Sequence, residues 1–312
     1  MAVGDEERPA PVQYASWAET FGESYWRLGP ETKDAVVELL PDGWTFEGRR
    51  VLDFGCGPGR TLRHFLPEAE RAEVWGADVS EPSIELVKRE LCPPMRALRC
   101  EVDPPLGLEY ESFDLIWAIS VFTHLTDNSI PWLLELHRLL KPGGLLIATY
   151  MGRWHSEMLT GEPWDESKVG MNVLRHNGWE LGGPGPMVLM SDWWVRAHWG
   201  RAFEILEIAP RIHSMSWPLM RKRDVKLTIE DLERPEDDPR EYEAVRHNLH
   251  QTQRELRRQQ RKSDAELRAV REEGEAKLRA VREEYERARS WRLTKPIRAA
   301  VRARRTRRRP SS

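Results

Sequence analysis

The segment Arg50-Val-Leu-Asp-Phe-Gly-Cys-Gly-Pro-Gly59 decides the fold, because it joins a short apolar run to three closely spaced glycines. An apolar run that ends in glycine is typical of a buried strand followed by a tight turn. The residues from Thr61 to Leu66 then predict a helix. A backbone without Cβ atoms can approach a ligand closely, and the first N–H groups of a helix attract an anionic group. We therefore predict a strand, a ligand-binding loop and a helix, in that order.

Strand and helix patterns alternate along the residues that follow. Further strands are predicted at 74–78, 97–101, 113–119 and 145–150, helices at 81–90, 131–140 and 192–201, and a final antiparallel pair of strands at 203–208 and 225–229. Such alternation is typical of a parallel sheet with helices on both faces. The predicted fold class is therefore α/β, with a Rossmann-like sheet that binds its ligands at the carboxyl ends of its strands.

The spacing within the glycine loop favours a nucleoside ligand that is not a dinucleotide. Gly55, Gly57 and Gly59 form GxGxG, whereas a dinucleotide fingerprint requires GxGxxG, and position 60 is arginine. Asp78 follows Gly59 by 19 residues, at the end of the second predicted strand. A carboxylate at that position can accept hydrogen bonds from both ribose hydroxyls of a nucleoside.

Four ordered segments resemble the motifs of class I S-adenosylmethionine-dependent methyltransferases. They are Val51-Leu-Asp-Phe-Gly-Cys-Gly-Pro-Gly-Arg60, Gly76-Ala-Asp-Val-Ser80, Phe113-Asp-Leu-Ile-Trp-Ala-Ile-Ser120 and Leu140-Lys-Pro-Gly-Gly-Leu145. The resemblance extends over residues 45–150, roughly, and continues more weakly to residue 229. It implies a seven-stranded sheet whose last strand is antiparallel, and S-adenosyl-L-methionine as the cofactor.

The resemblance also implies a role for each matching position. The glycine loop and Asp53 would hold the methionine moiety of the cofactor, and Asp78 would bind its ribose. Asp103 resembles the acidic residue that contacts the adenine amine, a role for which Glu101 is the alternative. The end of the fourth strand would line the methyl-transfer site. The implied cofactor-binding residues are Asp53, Gly55, Cys56, Gly57, Gly59, Asp78, Val79, Asp103, Ile119 and Ser120.

The chemistry of methyl transfer requires few protein groups. A sulfonium methyl is already electrophilic, so alignment of donor and acceptor supplies much of the rate. A hydroxyl acceptor benefits in addition from a general base of near-neutral pKa, which is usually histidine. His124 directly follows the fourth strand and is the candidate base, although a packing or hydrogen-bonding role is the alternative. His155, His176 and His198 are the other candidates, and no His or Cys spacing suggests metal ligands, so we predict a metal-independent reaction.

Tryptophan usage bears on the acceptor. The chain has 14 tryptophans, and six of them, within or just after the irregular segment 151–190, are Trp154, Trp164, Trp179, Trp193, Trp194 and Trp199. Indole faces are flat apolar platforms with a polar edge and suit the C–H faces of sugar rings. The alternative is that these side chains only pack a small subdomain. We expect a glycan or small-molecule acceptor, with RNA or lipid as alternative acceptors and a non-catalytic scaffold as an alternative function.

The charge divides the chain into two different parts. Residues 1–239 carry 25 Lys and Arg against 40 Asp and Glu, whereas residues 240–312 carry 23 against 11. The overall net charge of -3 is therefore the sum of a negatively charged body and a positively charged tail. The predicted organisation is an N-terminal helical cap at 1–48, the methyltransferase domain at 49–229 with a Trp-rich insertion at 151–190, an acidic linker at 230–240, a long helix or coiled coil at 241–290 and a basic tail at 291–312.

The tail carries an 11-residue repeat in which Leu256, Leu267 and Leu278 recur. This period keeps a narrow apolar stripe on one helix face, which favours self-association as a coiled coil. The stretch Ser290-Trp-Arg-Leu-Thr-Lys-Pro-Ile-Arg298 resembles a short signature of bacterial enzymes that assemble surface polysaccharides. Docking to a partner enzyme or to an anionic membrane are alternatives, and nucleic acid is a less favoured partner.

The sequence carries neither a stretch of about 20 apolar residues nor the layout of a secretory signal. Its three cysteines are too few and too irregularly spaced for a disulfide framework. We therefore expect a cytoplasmic protein, with peripheral attachment to the inner membrane face as an alternative.

Overall fold

The computed structural model of the protein describes residues 23–175, 185–210 and 214–306. The chain divides into two units between Thr252 and Gln253. The first unit contains all the strands described below, and the second consists of the continuation of the last helix. Within the described residues, no helix is long and apolar enough to cross a membrane.

Nine strands form two sheets in the part of the chain that the structure describes. The strands are β1 (Arg50–Phe54), β2 (Glu73–Asp78), β3 (Arg96–Arg99), β4 (Phe113–Ala118), β5 (Leu140–Ala148), β6 (Met171–Arg175), β7 (Met187–Met190), β8 (Phe203–Pro210) and β9 (Ser216–Lys222). Seven α-helices accompany them among the same residues. They are α1 (Glu23–Leu39), α2 (Glu81–Leu91), α3 (Ser129–Leu139), α4 (Arg153–Thr160), α5 (Asp192–Ala202), α6 (Ile229–Glu233) and α7 (Pro239–Thr306).

The main sheet has seven strands in the order β3-β2-β1-β4-β5-β9-β8. Strand β1 pairs in parallel with both β2 and β4, and β4 pairs in parallel with β5. Strand β9 is antiparallel to its two neighbours, β5 and β8. This topology confirms the predicted Rossmann-like sheet with an antiparallel last strand. The strand order reverses between β1 and β4, and ligands of such sheets bind at the carboxyl ends of the strands at this reversal.

Apolar side chains on alternating positions build a core on each face of the sheet. In β1, Leu52 and Phe54 belong to one buried cluster and Val51 to the other. In β4, Ile116 lies in the first cluster and Trp117 in the second, and both are fully buried. A strand that is buried on both faces consists of a nearly continuous run of apolar residues. This is why β1 and β4 could be predicted from the sequence.

The helix predicted at 61–66 is wrong. The structure places a four-residue 3-10 turn there, Leu62–Phe65, in which both terminal residues are buried. Pro67 follows almost immediately and has no N–H group with which to continue a helix. The predicted anion site therefore has only a short 3-10 helix behind it, in place of an α-helix.

The strand predicted at 225–229 is also wrong, since β9 lies earlier in the chain. Thr228 instead caps helix α6: its hydroxyl accepts from the N–H of Asp231, and the Asp231 carboxylate accepts from the N–H of Thr228. This reciprocal pair satisfies N–H groups at the start of the helix and so favours a helix over a strand. The antiparallel partner of β8 is β9, which contains Pro218. Proline cannot donate a hydrogen bond to a neighbouring strand, so the sequence did not indicate a strand there.

The segment 151–190 was predicted to be irregular, and the structure corrects this. It contains helix α4 and an antiparallel pair, β6 and β7, joined through residues of which 176–184 lie outside the described part. Met151, Val169 and Leu189 form a small buried cluster beneath this pair. Trp179 and His176 fall outside the described residues, as do residues 1–22 of the predicted N-terminal cap.

Helix α7 begins before the predicted boundary of 241 and continues past 290. Its exposed surface carries ion pairs between residues four apart, such as Arg271–Glu275 and Arg282–Glu286. The acidic linker predicted at 230–240 contains α6, whose Leu232 is fully buried. That segment is thus part of the first unit.

Candidate functional site

The glycine loop between β1 and the 3-10 turn takes a backbone path that only glycine adopts easily. Gly55, Gly57 and Gly59 have φ values of +79°, +53° and +81°. A Cβ atom on Gly55 would lie 2.3 Å from Cγ2 of Val121, whereas one on Gly57 would meet no protein atom within 4 Å. The N–H of Gly55 donates to the carbonyl of Ala77 at 2.8 Å, which holds the loop against the end of β2. The loop therefore leaves open space beside Gly57.

Cys56 contributes to the loop mainly through its backbone. Its N–H donates to the carbonyl of Ala77 at 3.0 Å. Its thiol is buried, and a Cβ atom on Gly76 would lie 3.0 Å from the sulfur. Burial raises the pKa of the Cys56 thiol well above its usual value, so the side chain packs as a neutral group.

Asp78 ties the glycine loop to the start of α2. One carboxylate oxygen accepts from the N–H of Gly57 at 2.8 Å, and the other accepts from the N–H of Ser80 at 2.8 Å. Burial raises the pKa of Asp78, against the lowering effect of these two N–H groups. Each oxygen retains a second lone pair, so the carboxylate can still accept two hydroxyl groups.

Asp53 is the least satisfied acidic group of the site. Its side chain is 3% exposed, and its Oδ2 atom has no hydrogen-bond partner among the described residues. Burial raises the pKa of Asp53 to about 7, and the neighbouring Asp78 carboxylate adds to the increase. A buried oxygen without a partner is rare in folded proteins, and Asp53 lies at the end of β1, two residues before the first glycine of the loop.

Two exposed valines lie at the ends of β2 and β3. Val79 is 48% exposed and Val102 is 65% exposed, which is unusual for side chains at the edge of a core. Asn128 donates to the carbonyl of Val102 at 3.0 Å and lies 3.5 Å from Oδ1 of Asp103. Trp132 donates to the same carbonyl at 2.8 Å. The structure thus joins Asp103 and its neighbour Val102 to Asn128; neither Val102 nor Asn128 was predicted from the sequence.

The turn after β4 is held in a strained conformation. Ser120 has a φ of +61°, which a residue with a side chain adopts only when its surroundings impose it. Its N–H donates to the Thr149 hydroxyl at 2.7 Å, and its own hydroxyl lies 3.3 Å from that of Thr123. Ile119 is half-buried beside it. This turn brings Val121 against Gly55, so the ends of β1 and β4 lie next to each other.

His124 is oriented by a backbone carbonyl. Its Nδ1 atom lies 2.6 Å from the carbonyl oxygen of Pro186. A carbonyl can only accept, so Nδ1 carries the proton and Nε2 is the basic nitrogen of the neutral ring. Burial lowers the pKa of His124, which favours that neutral form. Pro186 was not predicted to contribute, because it lies in a Gly- and Pro-rich stretch without periodicity.

The other candidate histidines have different surroundings. His198 is buried, with its two ring nitrogens 2.6 Å from the carbonyl of Leu232 and 2.7 Å from the Glu241 carboxylate. It therefore holds α5, α6 and the start of α7 together. His155 is buried with its Nδ1 atom unpartnered among the described residues, and burial lowers its pKa. Glu101, the alternative to Asp103, is exposed.

Comparisons with known proteins match part of the chain to methyltransferases. Residues 52–146 match the family model described as a methyltransferase domain. The chain is 33% identical over 113 residues to 2-methyl-6-phytyl-1,4-hydroquinone methyltransferase of Synechocystis, covering 36% of this chain and 33% of that protein. It is 28% identical over 147 residues to 27-O-demethylrifamycin SV methyltransferase of Amycolatopsis mediterranei, covering 42% of this chain and 50% of that protein.

A solved S-adenosylmethionine-dependent methyltransferase from Mesorhizobium loti is 19% identical, with a TM-score of 0.49, covering 61% of this chain and 96% of that one. The matches to the two curated relatives thus span between a third and a half of their length. The family match includes the glycine loop, Asp78 and the end of β4. It confirms that residues 52–146 resemble a methyltransferase domain.

Proposed function

We propose that the protein is an S-adenosylmethionine-dependent methyltransferase that methylates an oxygen atom of a sugar, in a glycan or a related small molecule. The observation that carries the first part is the buried Asp53 carboxylate at the start of the glycine loop, whose Oδ2 atom has no hydrogen-bond partner among the described residues, with Asp78 on the next strand. The family match of residues 52–146 supports it.

The residues of the site fit this cofactor. The unpartnered oxygen of Asp53 complements the ammonium group of its methionine moiety, and the open space beside Gly57 admits that moiety against the backbone. Asp78 accepts from the ribose hydroxyls with the lone pairs that the loop leaves unused. Val79 and Val102 present apolar faces to the adenine ring, and Asp103 accepts from its amino group.

When bound, S-adenosylmethionine supplies an electrophilic methyl group. The chain's own contribution is to align the acceptor and to remove its proton. In the proposed mechanism Nε2 of His124 takes the hydroxyl proton of the acceptor, while the Pro186 carbonyl keeps the proton on Nδ1. The lowered pKa of His124 keeps this base unprotonated at neutral pH. The Ser120–Thr149 hydrogen bond fixes the turn that positions it.

The tryptophans support a sugar acceptor only in part. Trp193, Trp194 and Trp199 are buried in the main core, where Trp199 packs against Phe122, so these three indoles serve the fold. Trp154 is 63% exposed in the first turn of α4, six residues after the end of β5. An exposed indole gives a sugar ring a flat apolar face to pack on.

Labelled methyl transfer tests this proposal. The full-length protein is incubated with S-adenosylmethionine carrying a radioactive methyl group and with separate glycan, lipid and RNA fractions of a bacterial cell. We expect label in the glycan fraction, and its loss when S-adenosylhomocysteine is added in excess. Label in the lipid or RNA fraction instead would overturn the sugar assignment, and label in none would favour the scaffold alternative.

A further inference from the structure

A second cavity lies outside the proposed cofactor site. This cavity, of about 580 Å³, is lined by α4, by residues 162–169, by the β6–β7 pair and by the first turns of α7 up to Gln251; we call it the insertion pocket. Its volume is in the range of about 300–1,000 Å³ that is usual for small-molecule sites. None of its lining residues belongs to the proposed methyl-transfer machinery.

The walls of the insertion pocket are fixed by hydrogen bonds within the first unit. The Asn172 amide donates to the carbonyl of Lys168 at 2.9 Å and to the side-chain oxygen of Gln251 at 3.4 Å. Its own oxygen accepts from the N–H of Gly170 at 3.2 Å. Asn172 is itself buried, so this link joins β6 to α7 without solvent competition. The pocket is therefore formed before any ligand binds.

One wall of the pocket is an indole. Trp164 is half-buried and packs on the small cluster of Met151, Val169 and Leu189, which supports it from behind. It also lines the cavity, together with Leu189. A supported indole that lines a cavity offers a flat apolar face with a polar edge.

The remaining walls are polar but nearly balanced in charge. Arg153 and Lys168 face three acidic side chains, Glu162, Asp165 and Glu166, and Lys168 pairs with Asp165 at 2.6 Å. The three acidic side chains would repel a polyphosphate, and Arg153 and Lys168 would repel a cation. The lining therefore favours neither kind of ligand. A neutral ligand with many hydroxyl groups can satisfy both donors and acceptors.

His247, which also lines the pocket, has a ring nitrogen that lacks a hydrogen-bond partner among the described residues. Its Nδ1 atom is buried and has no partner in the part of the chain that the structure describes, while Nε2 lies 3.5 Å from the Glu162 carboxylate. A ligand hydroxyl can donate to or accept from a ring nitrogen, so it suits either tautomer of this histidine.

We propose that the insertion pocket binds an uncharged saccharide unit. Resting on the proposed function, that unit is a part of the acceptor remote from the methylated oxygen. Strand β7 connects the insertion pocket with the proposed base, His124. Pro186, whose carbonyl orients His124, precedes the pocket residue Leu189 by three residues, or about 10 Å of strand. Binding a remote part of the acceptor helps to hold the reacting hydroxyl in position.

Saturation-transfer NMR on the full-length protein tests the pocket with a defined probe set: the methyl glycosides of glucose, galactose, mannose, rhamnose and N-acetylglucosamine. We expect transfer to at least one of them. Trp164→Ala and, separately, Arg153→Ala should weaken that binding at least fivefold. Met158→Ala removes an exposed apolar side chain of α4 that does not line the pocket, and should leave binding within twofold.

Absence of transfer to every glycoside would overturn the proposal, as would equal binding by the native protein and Arg153→Ala. Calorimetric binding of S-adenosylmethionine by each variant separates this result from the proposed function. A variant that keeps the cofactor but loses the glycoside is folded and lacks only the saccharide site. Glycoside binding by a protein that binds no cofactor would refute the proposed activity and retain the pocket.

Discussion

Asp53 gives the proposed site a pH dependence. Its pKa is raised to about 7 by burial, so the carboxyl group is largely protonated at pH 5.5 in the protein without cofactor. The ammonium of the cofactor attracts the ionised form, so ionisation and binding are coupled. We expect affinity for S-adenosylmethionine to rise as the pH increases from 5.5 to 7, by up to about tenfold per pH unit. Calorimetry at constant ionic strength measures this.

The control for this dependence is Asp53→Asn, which cannot ionise. We expect it to bind the cofactor more weakly than the native protein and with little change over the same pH interval. An affinity of the native protein that stays flat between pH 5.5 and 7 would show that Asp53 does not contact a cationic group.

His124 can be tested by a substitution that keeps its anchor. In His124→Asn the side-chain amide can still donate to the Pro186 carbonyl, but it cannot accept a proton. We expect the methyl-transfer rate to fall by about 10²–10⁴-fold, with little change in cofactor affinity. The rate of label transfer to the accepted fraction measures this. A variant that retains at least half of the native rate would remove His124 from the proton-transfer step.

At the scale of elements, the sequence predicted the centre of the sheet and failed at its margins. Strands β1 and β4 are buried on both faces, and their apolar runs have few other interpretations. The 3-10 turn after the glycine loop and the strand containing Pro218 depend on tertiary packing that overrides local pattern. The Thr228–Asp231 capping pair was visible in the sequence and could have excluded the strand predicted there.

The residues of the candidate site also divide into those that could be predicted from the sequence and those that could not. The glycine loop, Asp53 and Asp78 were found because their spacing along the chain is characteristic. The sequence did not identify three further residues, Val102, Asn128 and Pro186. Each contributes through a contact with a residue distant in the sequence, and none belongs to a motif. The apolar residue Val102, which stands between Glu101 and Asp103 just beyond β3, is a signal that could have been used.

The contact that joins the start of α7 to α5 provides a stability test. The two ring nitrogens of His198 lie against two acceptors, the Leu232 carbonyl and the Glu241 carboxylate. Glu241→Ala would leave Nε2 of the buried His198 without a hydrogen-bond partner, and we expect a loss of about 1–3 kcal/mol in the free energy of unfolding. Chemical denaturation measures it.

Glu243→Ala is the matched control for Glu241→Ala. Glu243 lies one half-turn further along the same helix and pairs with Arg246 at the surface. Its loss should change the free energy of unfolding by no more than about 0.5 kcal/mol. Equal stability of the two variants would show that the buried contact does not stabilise the first unit.

At the scale of the whole molecule, the continuation of α7 beyond residue 252 carries an apolar stripe without a core of its own. Leu256, Leu267 and Leu278 are 53%, 65% and 72% exposed. Their 11-residue spacing places them along one face of the helix. We propose that this stripe pairs two copies of the chain, and we expect the native protein to sediment as a dimer at micromolar concentration.

Leu267→Lys combined with Leu278→Lys puts charges on the stripe and should yield a monomer. The control, Arg268→Lys, keeps a cation elsewhere on the same helix and should remain dimeric. A native protein that sediments as a monomer over this concentration range would contradict pairing through the stripe.

Calorimetric titration of S-adenosylmethionine into the native protein and into Asp78→Ala tests whether this carboxylate binds the cofactor. Asp78 both holds the glycine loop and offers its lone pairs to the ribose, so its loss removes two supports of the site at once. The account predicts saturable one-site binding by the native protein, no measurable binding by Asp78→Ala, and native-like binding by the exposed neighbour variant Glu81→Ala. Equal affinity of the native protein and Asp78→Ala, or no binding by the native protein, would contradict it.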